Sequence, residues 1–285
     1  MKKISVITPS YNQAQYLEET ILSVLNQNYS NLEYIIIDGG STDGSVDIIK
    51  KYEHRLTYWV SEKDNGQADA INKGFEKATG DILCWLNSDD YYLEKTFEII
   101  SNKIDAAKAQ LIFDNVIRYS ENENLFVTSE IQKNYRNQKL SIVDYIVQPS
   151  TFWTRKAWEQ TGGLNTEFNY VFDWEWFLRA EKEGVDFIFE NNPLSVYRIH
   201  DLHKSGTGGD KREQEIATIL EHFNNKKHAE AYSFMRRNTF TLSALFKITY
   251  KLNANNFNPV LLKILFPWYF LTLSNSEISQ LYSIK

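Results

Sequence analysis

Two carboxylates stand side by side at Asp89 and Asp90, directly after the apolar run Ile82-Leu83-Cys84-Trp85-Leu86 and the pair Asn87-Ser88. Adjacent negative charges repel unless a cation or strong donors lie nearby. A divalent metal meets that need: Mg²⁺ and Mn²⁺ take one or two carboxylates and fill their other positions with water and substrate phosphates. The plain structural alternative is a solvated turn opening a helix near Glu94. Polar clusters also close two earlier apolar runs, Thr8-Pro9-Ser10-Tyr11-Asn12 and Asp38-Gly39-Gly40-Ser41-Thr42-Asp43-Gly44. Each has a structural reading, with Asp43 as a helix cap, Pro9 and Gly39-Gly40 as turn formers and Tyr11 as a half-buried aromatic. Later in the chain, Trp174, Phe177 and Leu178 make an apolar i, i+3, i+4 face, which predicts a helix starting near Asp173 and puts that carboxylate at its mouth. A carboxylate there is either a reactive acid or an N-cap, and Glu175 with Arg179 is either a second acid or an i, i+4 ion pair. In Pro193-Leu194-Ser195-Val196-Tyr197-Arg198-Ile199-His200 the alternation of a strand puts Arg198 and His200 on one face.

The elements that must position these groups follow from the apolar pattern. Residues 4–8, 32–38, 56–60, 81–86 and 111–117 read as strands, with helical periodicity between them, as in Leu17, Ile21, Leu22, Val24 and Leu25. The order βαβαβαβ predicts an α/β fold whose strands are mostly parallel and buried on both faces, as the unbroken apolar run Tyr34-Ile35-Ile36-Ile37 requires. Ligands then belong at the carboxyl ends of the strands, where the three polar clusters collect. A Gly-x-Gly-x-x-Gly run after the first strand, which a nicotinamide dehydrogenase needs, is missing from Thr8-Pro9-Ser10-Tyr11-Asn12.

Length and charge narrow the field further. A chain of 285 residues with 42% hydrophobic residues has the material for one large core with an appendage. The lone Cys84 lies in an apolar run and reads as a buried hydrophobe. The apolar stretch after Met1-Lys2-Lys3 covers only residues 4–7, too short for a signal-peptide core, so the expected location is cytoplasmic. The net charge of −6 is unevenly spread: residues 226–276 carry seven cations and one acid. The acidic remainder argues against nucleic acid as a partner.

The motifs Ser5-Val6-Ile7-Thr8-Pro9-Ser10-Tyr11-Asn12, Ile36-Ile37-Asp38-Gly39-Gly40-Ser41-Thr42-Asp43-Gly44, Asp64-Asn65-Gly66-Gln67-Ala68-Asp69 and Gly80 to Asp90 together resemble the inverting family 2 glycosyltransferases of GT-A fold, over about residues 3–205. The resemblance implies a nucleoside diphosphate sugar donor, a UDP-sugar being favoured although guanine also offers donors, and a divalent metal, Mn²⁺ or Mg²⁺. It implies that Thr8, Pro9 and Tyr11 line the base pocket, that Asp38 accepts a hydrogen bond from the base, and that Asp64 and Asp69 contact base or sugar. Asp89 is expected at the ribose or sugar, Asp90 on the metal, His200 on the metal or diphosphate, and Arg198 near the donor phosphates. Lys73 is read as the i, i+4 partner of Asp69.

The same resemblance makes Asp173 the general base, with Glu175 as the alternative. A base is needed because an acceptor hydroxyl attacking the anomeric carbon from the face opposite the diphosphate must lose its proton. The chain departs from the family form at Asn87 and Phe172, where the family often has acids. The implied setting is cell-surface polysaccharide, O-antigen, capsule or glycolipid biosynthesis, with a saccharide or lipid-linked acceptor. A non-catalytic nucleotide-sugar-binding module and a sugar-nucleotide hydrolase are the competing functions.

The expected organisation is a donor-binding half over 1–117, an acceptor half over 118–209 and a helical C-terminal extension over 210–285. Residues 119–138 read as a polar excursion, and Lys204-Ser205-Gly206-Thr207-Gly208-Gly209 as a flexible loop able to cover the donor. The apolar run 259–271 falls short of the ~20 residues that cross a bilayer. It reads either as a membrane-surface segment or as a helix packed on the catalytic domain or on a second subunit of a homodimer.

Overall fold

A computed structural model describes residues 1–128, 137–189, 191–201, 203–251 and 254–284, without the side chains of 205 and 206. The chain forms two compact units, one of Met1–Gln132 with Ile146–Gly206, the other of Lys133–Tyr145 with Thr207–Lys285.

In the first unit the elements run β1 (Ile4–Ser10), α1 (Ala14–Leu25), β2 (Leu32–Asp38), α2 (Ser45–Tyr52), β3 (Tyr58–Ser61), α3 (Gln67–Lys77), β4 (Ile82–Trp85), β5 (Tyr91–Tyr92), α4 (Thr96–Lys103), β6 (Gln110–Phe113), β7 (Val116–Ser120), β8 (Leu125–Thr128), β9 (Thr151–Thr154), α5 (Arg155–Thr161), α6 (Phe172–Lys182), β10 (Asp186–Phe189) and β11 (Ser195–Ile199), with α7 (Lys204–Thr207) at its end. The main sheet has the order β10-β6-β9-β4-β1-β2-β3. Among its described strands only β9 runs against the others, pairing antiparallel with β4 and β6. All seven residues of β1 are buried, as a central strand with helices on both faces demands. α1 buries Leu17, Ile21, Val24 and Leu25 at helical spacing against this core.

A second sheet, β5-β11-β7-β8, corrects one expectation. The apolar stretch 111–117 is not one strand, because Asp114 and Asn115 interrupt it and send β7 into this second sheet beside β11. Part of the expected polar excursion is the hairpin of β7 and β8, and residues 129–136 lie outside the described residues. The glycine-rich stretch is also more ordered than expected, Lys204–Thr207 forming a helical turn and Gly209 opening the next helix.

Two contacts in this framework yield measurable consequences. A Cβ added at Gly74 on α3 would lie 2.3 Å from Cγ2 of Ile7, a fully buried β1 residue. Overpacking of this kind costs about 1–3 kcal/mol, against about 1 kcal/mol gained by replacing a helical glycine with alanine. Gly74→Ala should therefore cost up to about 2 kcal/mol net and lower the thermal midpoint by up to about 8 °C in calorimetry, and a raised midpoint would mean that α3 sits further from β1.

At the amino end of the sheet, Glu33 is 3% exposed and accepts from Lys3 Nζ (2.8 Å), Ser5 Oγ (2.5 Å) and Thr79 N (2.6 Å). Burial alone would raise its pKa, but these donors outweigh burial and hold it at about 2. Since the folded pKa lies below the ordinary 4.5, this stabilisation is complete above that value and is lost as pH falls towards 2. The contribution is on the order of 3 kcal/mol. Urea melts of Glu33→Gln should accordingly lose the pH dependence that the native chain shows across that window, and parallel curves for the two proteins would contradict it.

The second unit is helical: α8 (Gly209–Phe223), α9 (Lys226–Arg237), α10 (Thr239–Lys251), α11 (Asn258–Leu265), α12 (Pro267–Phe270) and α13 (Asn275–Ser283). Asn225 caps α9, accepting from the Lys227 and His228 N–H groups, and Ser274 with Glu277 forms a capping box on α13. No helix among the described residues is long and apolar enough to cross a membrane.

Candidate active site

The loops after β1 and β2 fold as one piece. Ser41 Oγ accepts the Asn12 N–H at 2.8 Å, and Asn12 Oδ1 accepts the Thr42 N–H at 2.8 Å. Asp43 holds the starts of two helices, taking the Ala14 N–H at 2.9 Å and the Ser45 hydroxyl at 2.6 Å. Asp38 is fully buried, and its oxygens accept from Gly40 N (3.1 Å), Ser41 N (2.9 Å), Ser41 Oγ (2.5 Å) and Ser61 Oγ (2.6 Å). This corrects the expectation that Asp38 takes a base N–H, since four donors from the chain already fill the carboxylate's acceptor sites. Asp38 shapes the loop from below. Thr8 is likewise interior, fully buried with its hydroxyl 3.0 Å from the Tyr34 phenol, and is not open to a ligand.

What faces outward is an aromatic and a carboxylate. Tyr11 is 62% exposed. A Cβ added at Gly39 would lie 2.6 Å from Asp64 Oδ2 and 3.3 Å from Tyr11 Cδ2, so Gly39 lets Tyr11 and Asp64 close over the loop. Asp64 Oδ1 in turn accepts the Gly66 N–H at 2.9 Å. Asp69 takes the Asn65 N–H at 2.9 Å and lies 3.2 Å from Lys73, and these partners hold its carboxyl below the usual range. Asp69 thus secures the turn into α3.

The second sheet explains the arrangement around Asp89 and Asp90. β5 follows Asp90 directly and pairs antiparallel with β11, Val196 opposite Tyr91, so the end of β11 runs back alongside the two acids. Arg198 N donates to Asp90 Oδ1 at 2.9 Å and Arg198 Nε to the Asp89 carbonyl at 3.0 Å, while His200 Nε2 lies 3.1 Å from Asp89 Oδ2. Asp90 is 1% exposed, and Asn87 Nδ2 lies 3.4 Å from its other oxygen. Burial, then the charge of Asp89, pushes its pKa well above the usual carboxylate range. The Asp89 side chain is 18% exposed. This geometry argues against the expected division, in which Asp90 ligates the metal and Asp89 the sugar: the buried carboxyl is committed to Arg198, and the accessible one faces an imidazole.

Arg198 is itself enclosed. It pairs with Glu19 and with Glu121 (3.4 Å), and its guanidinium carbon lies 4.7 Å from the Tyr16 ring centre and 5.5 Å from that of Tyr91. Rather than reaching for a donor phosphate, as expected, it braces the acidic loop from behind. His200 is also supported, its ring 4.7 Å from that of Tyr16.

At the α6 mouth, Asp173 is half-buried and accepts the Trp174 N–H at 2.8 Å. Glu175 is 6% exposed and receives Arg179 Nε at 2.7 Å and Nη2 at 2.9 Å, a bidentate pair. The same guanidinium donates to the Thr161 and Gly163 carbonyls, so Glu175 fixes a turn and is not available as the alternative base.

Two residues given no role from sequence connect these parts. Lys204 Nζ donates to Gln67 Oε1 at 3.0 Å and lies 5.3 Å from the Phe172 ring centre, while Gln67 Nε2 donates to Asn87 Oδ1 at 2.7 Å. Through this relay the helix mouth at Phe172-Asp173 and the acidic loop share one neighbourhood. Only the fold brings Gln67 and Lys204 together, 137 positions apart in sequence.

The fold and these strand-end clusters define a class. Residues 5–162 match the family model described as glycosyl transferase family 2, and the chain belongs to that family. It is 44% identical over 101 residues to an uncharacterised glycosyltransferase of Haemophilus influenzae, covering 34% of this chain and 40% of the relative. With the putative teichuronic acid biosynthesis glycosyltransferase TuaG of Bacillus subtilis it shares 42% identity over 107 residues, covering 35% and 42%. The matched segment thus spans about two fifths of either relative. Among solved structures, S. aureus TarS in complex with UDP-GlcNAc aligns over 98% of this chain and 89% of its own, with a TM-score of 0.65 and 16% identity. The mannosyltransferase PcManGT from Pyrobaculum calidifontis, in complex with GDP-Man and Mn²⁺, aligns over 98% and 86% with a TM-score of 0.64 and 18% identity. At such identities these two speak for the shared GT-A type fold.

Proposed function

We propose that the protein transfers a sugar from a nucleoside diphosphate sugar, a UDP-sugar in preference, to an acceptor hydroxyl with inversion at the anomeric carbon. The observation that carries this reading is the polar relay from Lys204 through Gln67 to Asn87, which joins the Asp173 helix mouth to the Asp89 loop. Residues 1–117 serve the donor and 118–209 the acceptor. Tyr11 offers its exposed ring to the base and Asp64 faces the nucleoside, while Pro9, buried like the rest of β1, does not line the pocket as expected.

Asp89 and His200 are the groups that would hold a divalent cation. A cation held there would draw its other ligands from the diphosphate and water, as Mg²⁺ and Mn²⁺ commonly do. When bound, such a cation neutralises charge on the departing diphosphate. The chain's own residues do the rest: Lys204 adds positive charge beside the acidic loop, Arg198 keeps that loop in place, and Asp173 accepts the acceptor's hydroxyl proton. The teichuronic acid relative favours a role in cell-surface polysaccharide, O-antigen, capsule or glycolipid assembly, on a saccharide or lipid-linked acceptor.

A thermal-shift panel of nucleoside diphosphate sugars tests the donor reading, because a ligand that binds the folded state raises its midpoint by mass action. At least one UDP-sugar should raise the midpoint with Mn²⁺ and lose most of that effect with a chelator. No shift with any donor would sink the proposal.

A further inference from the structure

Among the described residues sixteen large apolar side chains are strongly exposed, and ten of them fall between Phe240 and Tyr282, all in the helical unit. Their spacing is regular. On α10, Leu242, Phe246 and Thr249 are buried, while Phe240, Ala244 and Ile248 emerge at i, i+4 and i+8 on another side. On α11, Pro259 and Leu262 are buried while Val260 and Ile264 emerge, and Trp268 at 81% exposure follows on α12. Each helix therefore packs one apolar face and leaves a second one in water, which a soluble surface does not need.

Charge identifies the occupant. From residue 231 to residue 276 the sequence contains no Asp or Glu, although the whole chain carries −6. Lys247 and Lys251 lie beside the exposed face of α10 and Lys263 beside that of α11, and none of the three has an ion-pair partner among the described residues. Exposed Phe, Ile and Trp flanked by unpaired lysines, in helices too short to span, is the composition of a segment lying in a lipid headgroup layer. A second copy of this face would set lysine against lysine, whereas lipid phosphates answer the lysines and the acyl boundary takes the exposed Phe, Ile and Trp.

We infer that α10 to α12 form a docking surface for an anionic bilayer, with Phe240, Ile248, Ile264 and Trp268 entering the interface and Lys247, Lys251 and Lys263 facing lipid phosphates. The inference is independent of the sugar-transfer reading, since it concerns residues outside the proposed catalytic groups.

The test is flotation of the full chain with vesicles of phosphatidylcholine alone or with about 30% phosphatidylglycerol. The native protein should float with the anionic vesicles, bind the zwitterionic ones weakly, and release at high salt. A lysine near an anionic surface contributes about fivefold in affinity, so Lys247→Gln/Lys251→Gln/Lys263→Gln should bind on the order of a hundredfold more weakly. Phe240→Ser/Ile264→Ser/Trp268→Ser should lose binding at least tenfold, with its thermal midpoint retained because all three positions are exposed. Equal binding to both vesicle types, or none to either, would overturn the inference. So would sedimentation showing a dimer that Trp268→Ser dissolves while vesicle binding is absent, which would assign the face to a second copy of the chain.

Discussion

Asp173→Asn should lower the rate of sugar transfer by about 10²–10⁴-fold while donor binding in Mn²⁺ stays within a factor of two or three of the native value. The amide keeps the side chain's shape and can still accept the Trp174 N–H that Asp173 Oδ1 accepts at 2.8 Å, but it cannot take a proton from the acceptor. Loss in kcat without loss of donor affinity is the signature of an interaction made in the transition state. Glu175→Gln is the matched control. It breaks a bidentate pair with Arg179, whose other donations hold the Thr161 and Gly163 carbonyls, so its effect should appear as a lower thermal midpoint with transfer retained in the folded fraction. Full activity of Asp173→Asn, or abolition by Glu175→Gln without destabilisation, would exchange the two roles.

Asp89→Ala should reduce donor affinity in Mn²⁺ to that measured with chelator, a loss on the order of tenfold or more in isothermal titration, since the accessible carboxylate beside His200 is removed. Asp90→Asn should keep the metal dependence. The buried Asp90 carboxyl accepts the Arg198 N–H, a bond that the asparagine carbonyl can also accept. If Asp90→Asn removes the metal effect and Asp89→Ala does not, the assignment drawn from burial is wrong.

The architecture was legible where one element declared itself locally. Continuous apolar runs bounded by turn residues gave β1, β2 and β4, and helical spacing gave α1 and α6, because burial on both faces of a parallel sheet leaves a direct record in the sequence. The reversed β9 left no such record, since strand direction depends on partners distant in the chain. The same limit applied to the site. That an acidic loop follows β4 is plain from two adjacent carboxylates, but which of them is buried depends on how β11 pairs beside β5. The resemblance implies a base contact for Asp38, but the fold fills its carboxylate with four donors, one of them Ser61, 23 residues away. Glu175 and Arg179, four residues apart on one helix, were readable as a pair from spacing alone.

The central claim is transfer, and its most direct measurement follows both products of a reaction containing a donor identified by thermal shift, Mn²⁺ and a saccharide acceptor. Mass spectrometry and proton NMR should show the nucleoside diphosphate and the extended acceptor appearing in equal amounts, the new linkage having the anomeric configuration opposite to that of the donor. Nucleoside diphosphate matched by free sugar would mark a hydrolase, and tight donor binding with no product a binding module. Either result would contradict the account.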